Sequence, residues 1–176
     1  RIGRTLPLPR RKTPEVDGKP STPTSYLEEA IRQIVSADLM KINDRTAKLR
    51  IEAKDAFSTS ASHKQTEEAV RVIGAALGFA SSRPCTDFGK GPDNLWIDAY
   101  TNTMLAFELK TDKDATSALT KDDIGQGHNH LEWLKTQYKD LKLLGLIFLT
   151  DAQAVTEKSD PSDAMHFGTQ EQMKRI

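Results

Sequence analysis

A single cysteine, Cys85, is all the chain has. That excludes intrachain disulfides and cysteine-rich zinc sites, and it makes a reducing, cytoplasmic compartment the expectation. Long hydrophobic runs are also missing. Nothing approaches the roughly 20 apolar residues of a membrane span, no signal peptide is recognisable, and no membrane partner is expected. Neither sign of charge is in excess, with 25 basic residues against 25 acidic ones. Net charge therefore gives no global pull toward nucleic acid, and any basic surface must be local. At 176 residues the chain suffices for one domain with a proper core and little more. It opens at Arg1, as a piece of a larger protein would.

What is present falls into three parts. Residues 1–24 hold five of the eight prolines, with Arg1, Arg4, Arg10, Arg11 and Lys12 among them. Proline at that density blocks helix and ladder hydrogen bonds, so an extended basic arm is expected. Its cations suit phosphate contacts, although composition favours a solvated linker. Residues 25–61 read as a helical extension. Ser25 and Glu28 form a capping-box pattern ahead of Leu27, Ile31, Ile34 and Val35. From Asn43 to Phe57 the alternation of Leu49, Ile51 and Ala53 competes with helix-forming neighbours, and helix is favoured.

Residues 62–176 carry the richest pattern. Ser62 and Gln65 repeat the capping-box spacing, Val70, Ile73 and Leu77 line one helical face, and Gly78 can end it. Short strands are expected at Phe79–Arg83, Leu95–Tyr100 and Met104–Lys110, the last two joined by Thr101-Asn102-Thr103, with Asn102 suited to a positive φ. Asp112 to Asp122 reads as a flexible linker. A long helix from about Asp122 to Leu141 presents Ile124, Leu131, Leu134, Tyr138 and Leu141 on one face. Leu143–Thr150 reads as a strand buried on both faces, Asp151–Ala164 as a polar loop, and Thr169 as the cap of a short last helix. This is a mixed α/β sandwich in the order helix, three strands, helix, strand.

Chemistry concentrates between Gly91 and Lys113. Pro92-Asp93 precedes one strand, and the next ends in Glu108-Leu109-Lys110. Acid-x-Lys alone means little, since it recurs at Asp17, Glu52 and Asp140. Only the match at Glu108 closes an apolar strand between a Pro-Asp turn and a long helix. Residues two apart on a strand share a face, so Glu108 and Lys110 point together. Asp93 at the mouth of the neighbouring strand falls beside Glu108. Two carboxylates about 4 Å apart repel by roughly 4 kcal/mol at an effective dielectric near 20. A hard cation such as Mg²⁺, held by Asp93, Glu108, the Leu109 carbonyl and water, would offset that. Lys110 would orient or help deprotonate an attacking water and neutralise developing charge.

These residues resemble the PD-(D/E)xK nuclease superfamily, over roughly Ser62 to Thr150. The resemblance implies a restriction-endonuclease-like αβββαβ core with a mixed central sheet. It also implies a Mg²⁺-dependent DNA endonuclease (Mn²⁺ as a substitute) from a restriction, defence or repair protein. It adds a metal-binding glutamate in the first helix, Glu67 with Glu68 as the competitor, and a glutamine early in the helix after the lysine, matched by Gln126, that assists substrate or site geometry. DNA is the implied partner, with a fused or bound helicase or ATPase supplying further affinity, and a dimer is compatible. The alternative is a nuclease-like module that binds DNA or protein without cutting. Asp98 reads as a further ligand or, more simply, a solvent-facing acid. Gln126 and His130 share a helix stripe that suits contacts to a substrate backbone, although His130 reads better as an ordinary polar shoulder, and Trp96 and Trp133 read as packing. His63 and His166 show no partner pattern, and Lys135, Lys139 and Lys142 suit a phosphate-facing stripe or, by default, a solvated helix face.

Overall fold

The computed structural model describes residues 39–58 and 61–175, with side chains from residue 47 onward. The basic arm and the helix expected at Ser25 lie outside the described residues. In chain order the elements are α1 (Leu39–Ala56), α2 (His63–Ala76), β1 (Ala80–Ser82), α3 (Pro84–Phe88), β2 (Asn94–Asp98), β3 (Thr103–Lys110), β4 (Ala118–Leu119), α4 (Lys121–Gln137), β5 (Lys142–Thr150), β6 (Ala154–Val155), β7 (Met165–Gly168) and α5 (Gln170–Met173). Helix thus prevails over strand between Asn43 and Phe57.

Local chemistry explains the main boundaries. Ser62 and Gln65 close a reciprocal capping box at the start of α2. Gly78, with φ 91°, takes the left-handed turn that ends it. A second capping box, Thr120 with Asp123, starts α4 one residue earlier than the apolar periodicity suggests. Asn102, at φ 53°, supplies the positive φ in the β2–β3 connection, which spans residues 99–102.

One five-stranded mixed sheet runs in the order β1-β2-β3-β5-β7. β1, β2 and β3 are antiparallel neighbours, whereas β5 lies parallel to β3 and β7 parallel to β5. The chain is therefore α/β, with α4 as the crossover between the parallel strands β3 and β5. Alternating side chains build a core on each face. One gathers Leu95, Ile97, Ala106, Leu146 and Phe148 against Ile124, Leu131 and Leu134 of α4. The other gathers Trp96, Phe107, Leu109 and Leu149 with Val70 of α2 and Phe57. Phe57 ties the end of α1 into this second core, and Thr66 Oγ1 donates to the Ala56 carbonyl at 2.8 Å.

Several expectations need correction. The stretch from Asp112 to Asp122 is not a structureless linker. Asp114 accepts from Thr116 and Ser117, and β4 pairs in parallel with β6, which itself interrupts the supposed polar loop. Leu119 is fully buried there, so apolar burial organises what the polar composition obscures. α4 stops at Gln137, so Lys139 and Lys142 do not continue a stripe from Lys135 along that helix. Strand β7 and the short helix α3 carry no periodicity of their own. Tertiary contacts and Pro84 at the first helical turn define them.

Trp96 is a core residue. Its Nε1 donates to the Val70 carbonyl at 3.1 Å, and its ring lies 5.3 Å from Phe79 and 4.4 Å from Phe107 between centroids. Trp133 covers Gly91, where φ is 94° and a Cβ would overlap the indole. That close approach presses the turn before Asp93 against α4.

Candidate metal centre

The β2–β3 register, Asn94 opposite Phe107, places Asp93 one step beyond the ladder and opposite Glu108. There the Leu109 backbone N–H donates to Asp93 Oδ2 at 2.8 Å. The N–H and C=O of a strand residue point to the same neighbour, so the Leu109 carbonyl also lies on the Asp93 side. The Leu109 side chain is buried in the α2-side core, as its place between Glu108 and Lys110 requires.

Burial pushes the Asp93 carboxyl up to about 6, and the Glu108 charge adds to that rise. The Leu109 hydrogen bond and His63 pull the other way without overcoming it, and Glu67 raises it further. Glu108 is itself 1% exposed. Its Oε1 lies 3.2 Å from Lys110 Nζ and its Oε2 lies 3.1 Å from His130 Nε2. The His130 approach is close but not aligned as a hydrogen bond, so Oε2 has no directed donor.

Lys110 is fixed from three directions. It donates to Gln126 Oε1 at 2.7 Å and lies near Glu108 and, at 3.4 Å, Asp123. Burial alone would lower its pKa, yet Glu108 and Asp123 more than compensate and raise it. Burial acts on Asp123 in the raising direction. The Thr120 cap with Lys110 and Lys113 outweighs it, so Asp123 stays below the usual carboxylate range.

α2 supplies the other half. Glu67 is buried and Glu68 is not the inward residue. Glu67 Oε1 lies 3.1 Å from His63 Nε2, and Glu67 Oε2 accepts from Thr86 at 3.2 Å. Glu68 instead pairs with Arg71 and Arg83, beside a cavity of about 500 Å³ between α1 and α2. That cavity is lined largely by aliphatic residues of the two helices and includes none of Asp93, Glu108 or Lys110. His63 Nε2 is also 3.7 Å from Asp93 Oδ2.

Ligand atoms of His63, Glu67 and Asp93 all lie within 4.8 Å of one another. Adjacent ligands on an octahedral ion with bonds of about 2.1 Å stand ~3.0 Å apart, and the two approaches of His63 Nε2, 3.1 Å to Glu67 and 3.7 Å to Asp93, come near that edge. Glu108 is not in that trio. Its carboxylate turns toward Lys110 and His130, and Asp93 stands where the two halves meet.

Sequence reasoning missed His63 and His130. The first had a readable signal, because His63 and Glu67 are four apart on one helix and share a face. The second shares a helix stripe with Gln126, but its approach to Glu108 had no readable signal, because the β3–α4 contact that creates it is long-range. Asp98 corrects both of its readings. It is buried, and its carboxylate accepts from the Tyr100 N–H at 2.9 Å and the Thr101 hydroxyl at 2.6 Å. It closes the hairpin turn. His166 lies on the edge strand β7, away from the trio.

Compared with known proteins, the chain matches no family model, no curated protein and no solved structure. No helix among the described residues is long and apolar enough to cross a membrane.

Proposed function

We propose that the chain is a divalent-metal-dependent DNA endonuclease domain of the PD-(D/E)xK type. The observation that carries this reading is the Asp93–Leu109 hydrogen bond, which holds the Pro92-Asp93 turn against Glu108-Leu109-Lys110. The αβββαβ order, with β3 and β5 parallel, is the order expected of a restriction-endonuclease-like core. Glu67, Asp93, Glu108 and the Leu109 carbonyl would hold Mg²⁺ or Mn²⁺, directly or through water.

When bound, the cation makes water more acidic and stabilises charge on the phosphate. Lys110 acts as a donor in this scheme. Its raised pKa keeps it as the ammonium at neutral pH, which suits orienting the attacking water and neutralising a phosphate oxygen better than removing a proton. Gln126 and Asp123 hold the ammonium in place. In the step, the water oxygen bonds to phosphorus as the bridging P–O bond breaks. One water proton leaves to solvent and the departing oxygen takes one up.

With equal acidic and basic totals, the chain offers little global attraction for DNA. A fused or bound helicase or ATPase would supply it in this reading. The rival is a nuclease-like module that binds without cutting. The engagement of Glu108 Oε1 by Lys110 favours it, since a metal would have to compete for that oxygen.

Incubating the purified chain with plasmid or single-stranded DNA and Mg²⁺ or Mn²⁺ tests the choice. The expected result is cleavage that chelator abolishes and that Lys110→Ala lowers by roughly 10²-fold. Cleavage unchanged in Lys110→Ala removes the assignment, and DNA binding without cleavage selects the rival.

A further inference from the structure

The α2 side of the centre presents an imidazole nitrogen, which an all-oxygen Mg²⁺ site lacks. We propose that His63 is a metal ligand, so that His63, Glu67 and Asp93 form a one-nitrogen, two-carboxylate site preferring a first-row transition dication such as Mn²⁺ over Mg²⁺. The inference rests on the reading of this centre as a metal site and goes beyond it in ligand set and metal class.

Four observations carry it. His63 Nε2 lies 3.1 Å from Glu67 Oε1, close to the ~3.0 Å edge expected between neighbouring ligands on a six-coordinate ion. The same nitrogen is 3.7 Å from Asp93 Oδ2, so one atom faces both acids. The two carboxylates are buried, while His63 is exposed at the first turn of α2, which leaves a path from solvent. Finally, the Thr111 hydroxyl stands 3.5 Å from His63 Nδ1, at the outer limit of hydrogen bonding. With its proton on Nδ1 toward Thr111, the ring leaves the Nε2 lone pair directed at the acids, the usual arrangement around a metal-bound imidazole.

Among the described residues, no lysine or arginine pairs with Glu67 or Asp93. Arg71 and Arg83 are committed to Glu68, and Lys110 lies on the Glu108 side. Mg²⁺ prefers oxygen donors and parts reluctantly with its waters, whereas affinity for nitrogen donors rises from Mn²⁺ through the first-row series. Replacing one oxygen by imidazole therefore shifts the preference away from Mg²⁺.

The test is titration of the metal-free full chain with Mn²⁺ and with Mg²⁺ by calorimetry, together with electron spin-echo spectroscopy of the Mn²⁺-loaded chain. Expected are tighter binding of Mn²⁺ than of Mg²⁺ and a ¹⁴N modulation from a coordinated imidazole. His63→Ala should lower Mn²⁺ affinity roughly 10-fold or more and remove the modulation. His130→Ala should keep it, and Glu68→Gln should bind Mn²⁺ like the parent. His63 is exposed at a helix start, and circular dichroism checks that the variant folds. Equal affinity for the two ions without ¹⁴N modulation overturns the proposal, as does a modulation lost in His130→Ala but kept in His63→Ala. DNA cleavage by a chain lacking these signatures keeps the nuclease reading and removes this one. Mn²⁺ bound through His63 without any cleavage does the reverse.

Discussion

Asp93 and Leu109 are joined by a hydrogen bond from a backbone N–H to a buried carboxylate, 2.8 Å long. It is the physical link between two motif halves that stand sixteen residues apart. Through it, a change in the Asp93 charge is felt along β3, where Glu108 and Lys110 sit.

The raised Asp93 pKa makes stability depend on pH. Its folded value of about 6 lies above the ordinary 3.8, so between those values the folded chain holds the proton more firmly than the unfolded one. The resulting stabilisation is complete below about 3.8 and is lost as pH rises through about 6. Urea unfolding in chelator should show this loss between pH 4 and pH 7. Asp93→Asn should flatten that part of the profile, and an unchanged profile in the variant would contradict the assignment.

Lys110 holds a buried acid in place. With Lys110→Met, Glu108 keeps only the misaligned approach of His130 and becomes a poorly compensated buried charge. The expected cost is about 3 kcal/mol in metal-free chain, and adding Glu108→Gln should recover part of it. Chemical denaturation of the single and double variants checks both statements.

Asp98 belongs to the hairpin and not to the candidate metal centre. Asp98→Ala removes the acceptor for Tyr100 N–H and the Thr101 hydroxyl, at a cost of about 1–2 kcal/mol. Metal affinity by calorimetry should stay at the parent value. A fall in that affinity would return Asp98 to the ligand set.

Gly74 is required by Trp96. A Cβ at position 74 would fall inside the indole that bridges α2 to β2. Gly74→Ala should therefore destabilise by about 1–3 kcal/mol and alter the near-ultraviolet circular dichroism of the tryptophans. Parent-like stability would mean that the helix can move off the sheet freely.

The parts of this protein that local chemistry controls were legible in its sequence. Capping boxes at Ser62 and Thr169, the positive φ at Asn102 and the apolar run of β5 depend on residues within a few positions of one another. The shared direction of Glu108 and Lys110 follows from strand geometry alone. Glu67 was separable from Glu68 only after Arg71, Arg83 and Thr86 had taken their places. Tertiary structure alone joined β4 to β6, set β7 at the sheet edge and brought His130 to Glu108. It also set His63 beside Asp93, thirty positions away. Such contacts join residues far apart in the chain, and no local propensity encodes them. They exist because burying both faces of the five-stranded sheet packs distant segments against one another.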